Sequence, residues 1–193
     1  MTAKTDSVMV GFTTLAIAAL ARLRLGREQP RLTALVFWAA VACGFLTKGP
    51  VTPAIVIAVL GALALWERKL LWMKPLLWWP GPLLALAIAL PWLVAIGAAT
   101  EGRFFSDLLA NELGPKLTGA DHAHHGFPGY YLLLLPLLIF PGTYALPAAL
   151  RLTWGAVRAG AGDEKQAPLR FLIAWAGVTF LLFEIAPAKL LHY

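Results

Sequence analysis

Gly44-Phe45-Leu46-Thr47-Lys48-Gly49-Pro50 joins two apolar runs, about 33–47 and 51–66, whose interiors carry no charge. Two such runs, separated by a cation, a glycine and a proline, read as successive membrane helices linked by a tight turn. A charged residue at the centre of a membrane helix costs roughly 2.5–3.5 kcal/mol, so the lysine is expected at a membrane face. Pro50 suits the first turn of the second helix, where its missing N–H is no loss and the free N–H groups nearby favour an anion. On spacing alone two readings stand side by side. Lys48 either cradles a phosphate at a helix N-terminus or snorkels to lipid headgroups from a plain turn.

The rest of the chain has the same character. Hydrophobic residues make up 60% of its 193 residues and charged residues 13%, whereas soluble domains carry about 25% charged residues. Mean hydropathy is +0.73. The fold class expected is all-α, a polytopic transmembrane helix bundle in one domain, with no room for a separate soluble one. Spans read from apolar stretches run about 7–21, 33–47, 51–66, 76–99, 129–150 and 171–187, six in all. The second and third are short for a hydrocarbon core.

A net charge of +6 invites a nucleic-acid reading, but its distribution excludes one. Arg22, Arg24, Arg27 and Arg31 form one cluster, Arg68, Lys69 and Lys74 a second, and Arg151, Arg158, Lys165 and Arg170 a third. All three fall in short connections, which are expected to be cytoplasmic under the positive-inside rule. Alternation then puts residues 1–6, the Thr47–Pro50 turn, the 100–128 loop and the tail from Ala188 outside. Of the 16 lysines and arginines, the five outside are Lys4, Lys48, Arg103, Lys116 and Lys189.

The outer face also collects His122, His124, His125 and His192, together with Asp6, Glu101, Asp107, Glu112 and Asp121. One face is therefore expected to carry the polar chemistry. The 122–125 histidines are candidate ligands for a divalent metal with Asp121 or Glu112, yet they lack the i, i+4 spacing or cysteine context of a strong zinc site. A solvated polar loop and contacts to an acceptor or phosphate are the competing readings. Phe104, Phe105, Leu108, Leu109 and Leu113 recur at helical spacing and suggest a short helix in the membrane interface. Tyr130 and Tyr131, at the mouth of a span, read as an aromatic belt. Glu184, near the end of the last span, needs a partner, and Lys189 is the nearest candidate. Cys43 reads as a small buried apolar residue.

The order Ala3-Lys4-Thr5-Asp6, Leu46-Thr47-Lys48-Gly49-Pro50, Pro91-Trp92, His125-Gly126-Phe127-Pro128-Gly129-Tyr130-Tyr131 and Ala188-Lys189-Leu190-Leu191-His192-Tyr193 resembles bacterial family 39 glycosyltransferases of the GT-C superfamily. Relatives of the lipid A aminoarabinose transferase and of protein O-mannosyltransferases fall there. The resemblance covers nearly the whole chain. It implies an enzyme of the bacterial inner membrane that moves a sugar from a polyprenyl phosphate carrier to a lipid, glycan or protein acceptor on the periplasmic face. Such transfer needs a carboxylate to take the acceptor proton and cations to hold the leaving phosphate. Lys48, Lys116 and Lys189 are then expected to bind the donor phosphate, with Asp6 as an auxiliary carboxylate. His125, Tyr131 and His192 are expected to serve the acceptor or loop side.

The resemblance also has gaps. The family's main catalytic carboxylate lies in a loop after its first span, and no such loop is found here. The chain is expected to be an internal piece of a larger GT-C membrane domain, truncated at both ends and inactive by itself. Asn111-Glu112 and Lys116-Leu117 stand where aminoarabinose transferases carry Glu-His and Arg-Phe pairs. Two other classes stay open. A transporter piece should show intramembrane charges along a pathway, and a membrane scaffold would explain the spans but not three proline-associated outer lysines.

Overall fold

The computed structural model describes residues 5–26, 29–104, 129–159 and 163–185. Among the described residues there are seven α-helices and no strand: α1 Thr5–Arg24, α2 Pro30–Lys48, α3 Val51–Glu67, α4 Pro80–Ala99, α5 Tyr130–Leu138, α6 Leu146–Ala159 and α7 Ala167–Ile185. Short 3-10 turns at Leu71–Leu77, Gly142–Ala145 and Glu164–Gln166 lead into α4, α6 and α7. Helices α1, α2 and α4 and the segment Glu164–Ile185 are long and apolar enough to cross a membrane. Helix α3 has 17 residues, or roughly 26 Å at 1.5 Å per residue, just under a hydrocarbon core of about 30 Å.

Helices α1, α2, α3 and α7 share a core that includes Ile17, Leu20, Phe37, Val56, Val59, Leu63 and Phe171. Ala16, Ala19, Ala34 and Ala40 are buried in the same cluster, where small side chains let helix backbones approach closely. Gly44 of α2 faces Thr52 of α3, and a Cβ there would lie 2.6 Å from Thr52 Oγ1. Only glycine lets the two helices close at that level. On the far side of α2, Trp38 Nε1 donates to the Leu76 carbonyl at 2.9 Å, fastening the 3-10 turn that precedes α4.

The 44–50 stretch forms the expected turn. Gly49 closes α2 by donating its N–H to the Phe45 carbonyl at 2.8 Å, at a φ of 64° that favours glycine. Pro50 is the residue just before α3, and its carbonyl accepts the Ala54 N–H at 2.9 Å.

Successive helices alternate in direction, so the start of α1, the α2–α3 turn, the end of α4, the start of α5 and the end of α7 gather at one end of the bundle. The last turns of α1 and α3 and the start of α7 form the other. Ion pairs at each end confirm the grouping: Asp6 with Lys48, and Arg24 and Arg170 with Glu67.

One expected span differs. The 129–150 stretch is not a straight helix: α5 and the segment Gly142–Arg158 meet at 106°. Pro136 and Pro141 frame the break. Proline removes a backbone donor and its ring clashes with the preceding turn, so a run with two of them cannot hold one axis.

Candidate functional site

Asp6 lies in the first turn of α1 and Lys48 in the last turn of α2. An acid at a helix N-terminus and a base at a C-terminus each complement the local backbone dipole. The structure joins these two side chains, both singled out in the sequence, as an ion pair between Lys48 Nζ and Asp6 Oδ1. Their side chains are 28% and 32% exposed, so the pair is partly accessible at the bundle end. Helix α3 begins three residues after Lys48 and adds the partial positive charge of its N-terminus.

Below the pair runs a polar seam. Thr13, two turns along α1 from Asp6, bonds the Met9 carbonyl at 2.9 Å and the Thr52 hydroxyl at 2.8 Å. Thr13 and Thr52 are both buried, Thr52 completely. Such a hydroxyl pair satisfies both groups where neither lipid nor core offers a partner.

Glu184, at the same end, accepts from two backbone amides. Its Oε1 accepts the Gly129 N–H at 2.7 Å and its Oε2 the Tyr131 N–H at 3.1 Å. A carboxylate on α7 thus caps the free amides of α5 across 55 residues of sequence, a charge-assisted contact of the stronger kind. Lys189, the expected partner, lies outside the described residues. Tyr131 is 6% exposed and stacks edge-on against Tyr130 at 5.3 Å. It is a buried residue of the Glu184 corner and not part of a lipid-facing belt. Trp92, of the Pro91-Trp92 pair inside α4, meets Phe104 edge-on at 5.6 Å.

Lys116, His122, His124, His125, Lys189 and His192 lie outside the described residues, as does most of the expected interfacial helix. Among the described residues no group of three or more His, Cys, Asp and Glu side chains is placed to hold a metal ion. Cys43 is only partly buried.

Polar contacts are not confined to this end, and of the carboxylates and histidines expected at one face only Asp6 and Glu101 lie among the described residues. At the opposite end, Glu67 takes Arg24 Nε at 2.7 Å and Arg24 Nη2 at 3.2 Å, and Arg170 Nε at 3.2 Å. Arg170 also donates to the Asp163 carbonyl at 2.7 Å, and Glu164 bridges Arg24 at 2.8 Å and Lys69 at 2.6 Å. Glu67 and Arg170 are buried. Sequence reading placed these arginines in cytoplasmic connections and passed over Glu67. The available signal was one carboxylate at the end of an apolar run facing two arginines that also end apolar runs.

No protein-family model matches the chain, and no solved structure matches it significantly. Curated proteins do. The chain is 31% identical over 153 residues to the undecaprenyl phosphate-alpha-4-amino-4-deoxy-L-arabinose arabinosyl transferase of Shewanella sediminis, covering 79% of this chain and 26% of the relative. The transferase of the same name from Aeromonas salmonicida is 32% identical over 164 residues, 82% of this chain and 28% of the relative. That of a Pseudomonas aeruginosa strain is 30% identical over 173 residues, 89% and 30% respectively. The chain spans between a quarter and a third of the length of these relatives. It is a GT-C relative of the undecaprenyl phosphate-aminoarabinose arabinosyl transferases, matched to one stretch of them over most of its own length.

Proposed function

We propose that this chain carries the donor-phosphate end of a membrane glycosyltransferase that moves a sugar from a polyprenyl phosphate to a lipid, glycan or protein acceptor. The observation that carries the reading is the partly exposed Lys48–Asp6 pair at the end of an apolar bundle in a relative of enzymes named for a undecaprenyl phosphate-linked sugar. The lysine and arginine distribution supports a bacterial inner membrane setting with this end periplasmic.

In this reading the carrier phosphate competes with Asp6 for the Lys48 ammonium. As the bond from the anomeric carbon to the phosphate oxygen breaks, negative charge builds on the phosphate and Lys48 stabilises it. Asp6, released from the lysine, is the auxiliary carboxylate at the same level and helps take the acceptor proton. Lys116 and Lys189 are further candidate phosphate cations, and His125, Tyr131 and His192 candidate acceptor-side groups. Tyr131 acts through its place in the Glu184 corner, since its ring is buried.

The test is donor kinetics of the complete gene product in membranes. Lys48→Ala is expected to lower kcat/KM for a polyprenyl phosphate sugar by roughly 10²-fold or more, the loss typical of a charge-stabilising donor. Lys48→Arg should recover only part of it, because a planar fork replaces a compact point charge. Wild-type turnover in Lys48→Ala, or a loss matched by lost protein, would make the pair a staple between α1 and α2.

A further inference from the structure

Helix α6 presents an apolar stripe and a basic stripe that are largely exposed among the described residues. At 100° per residue Leu146, Leu150 and Val157 fall within about 40° of one another, and Arg151 and Arg158 lie about 20° apart, roughly 100° further round. Trp154 stands between the two stripes, and Arg158 lies over its ring, 4.8 Å from the centroid. Leu150 is 65% exposed, Trp154 59% and Val157 46%. On the bundle side the helix contributes the buried Ala156. Neither arginine has a carboxylate partner among the described residues.

The position of the helix selects its occupant. The 106° break turns α6 away from the axis of α5. The turn after α6 is held at the Glu67 end of the bundle by Glu164, through Arg24 and Lys69. The C-terminal end of α6 therefore lies at the Glu67 end of the bundle. Apolar side chains with arginines and a tryptophan alongside, at that level, match a lipid monolayer whose headgroups are anionic. Nearby Lys165 adds a third cation, while Asp163 and Glu164 are turned to backbone and to Arg24 and Lys69.

We propose that α6 is an in-plane helix that docks on anionic phospholipid, its Leu146–Leu150–Val157 stripe among the upper acyl chains and Arg151 and Arg158 on the phosphates. The surface is distinct from the Asp6–Lys48 end and does not depend on the enzymatic reading. Each arginine should favour anionic over zwitterionic headgroups by about fivefold, the effect of one basic side chain near a charged membrane surface.

The test uses the purified chain reconstituted in vesicles of phosphatidylcholine alone or with about a third phosphatidylglycerol, enough to make the surface anionic. A fluorophore is placed at Leu150→Cys or Gly155→Cys on a Cys43→Ala background. Nitroxide lipids then report depth and headgroup preference. The proposal expects the Leu150 label to be quenched more by a nitroxide near the glycerol than by one at the chain end, and the Gly155 label to be reached by an aqueous quencher. A nitroxide-bearing phosphatidylglycerol should outquench its phosphatidylcholine counterpart, with the preference falling stepwise in Arg151→Gln and Arg158→Gln and surviving in the two lysine variants. Strongest quenching from the chain end would make α6 part of a span. A Leu150 label closed to every quencher would mean that protein covers it. Equal quenching by the two headgroups, or a preference that survives both glutamines, overturns the proposal as well.

Discussion

Replacing Glu67 by glutamine removes one charge and almost no volume, so it isolates the electrostatics of the buried triad. Three hydrogen bonds converge on this carboxylate, two from Arg24 and one from Arg170, over 2.7–3.2 Å. The side chains of Glu67 and Arg170 are 1% and 0% exposed. Breaking such a pair from one side costs roughly 3–5 kcal/mol, because the remaining charge stays buried without its counter-ion. Arg24 is partly protected, since Glu164 still holds it at 2.8 Å and its side chain is 11% exposed. Arg170 keeps the Asp163 carbonyl at 2.7 Å but is fully buried. The expected loss therefore falls mainly on Arg170, near the lower bound, at about 3 kcal/mol. SDS-driven unfolding in mixed micelles, followed by far-UV circular dichroism, reads it directly. The double variant Glu67→Gln with Arg170→Met should regain most of the loss, because replacing both partners leaves no stranded charge. A Glu67→Gln chain within about 1 kcal/mol of wild type, the size of an exposed pair, would refute the triad as a buried electrostatic unit. So would a double variant no more stable than the single one.

Two further outcomes bear on the other end of the bundle. Glu184→Gln should destabilise the α5–α7 corner by roughly 1.5–3 kcal/mol, the range for hydrogen bonds to a charged acceptor, and hydrogen exchange at Gly129 and Tyr131 should quicken; unchanged exchange there would show that the carboxylate does not cap α5. For orientation, a cysteine at Arg103 on a Cys43→Ala background should react with an impermeant thiol reagent in intact spheroplasts, while one at Lys74 should react only after permeabilisation. The reverse pattern would invert the bundle and remove the periplasmic assignment.

Much of the fold was legible because hydropathy reports where chain meets lipid. The runs 7–21, 33–47 and 51–66 became α1, α2 and α3 with ends moved by a few residues, since Asp6, Arg24, Lys48 and Glu67 extend the helices into the interface. Hydropathy is blind to direction, and so 129–150 looked like one span. The sequence Pro136-Leu137-Leu138-Ile139-Phe140-Pro141-Gly142 held the warning, as two prolines five residues apart withdraw donors from successive turns. Asp6 and Lys48 were each recognised by residue type and position. Their pairing was not, because it depends on the register of α1 against α2, which small residues such as Ala16 and Ala40 set through packing. The backbone amides at the start of α5 that Glu184 accepts from were not foreseen, because a sequence displays side chains and not where a helix leaves its N–H groups free.

Helix α1 is held by charge at both extremities, through Asp6 to α2 and through Arg24 to α3. The two anchors are eighteen residues apart, about 27 Å along the axis. A register shift of α1 by one residue would turn both anchors by about 100° and break them together. The α1–α2–α3 unit is therefore a stiff wall, not a piston.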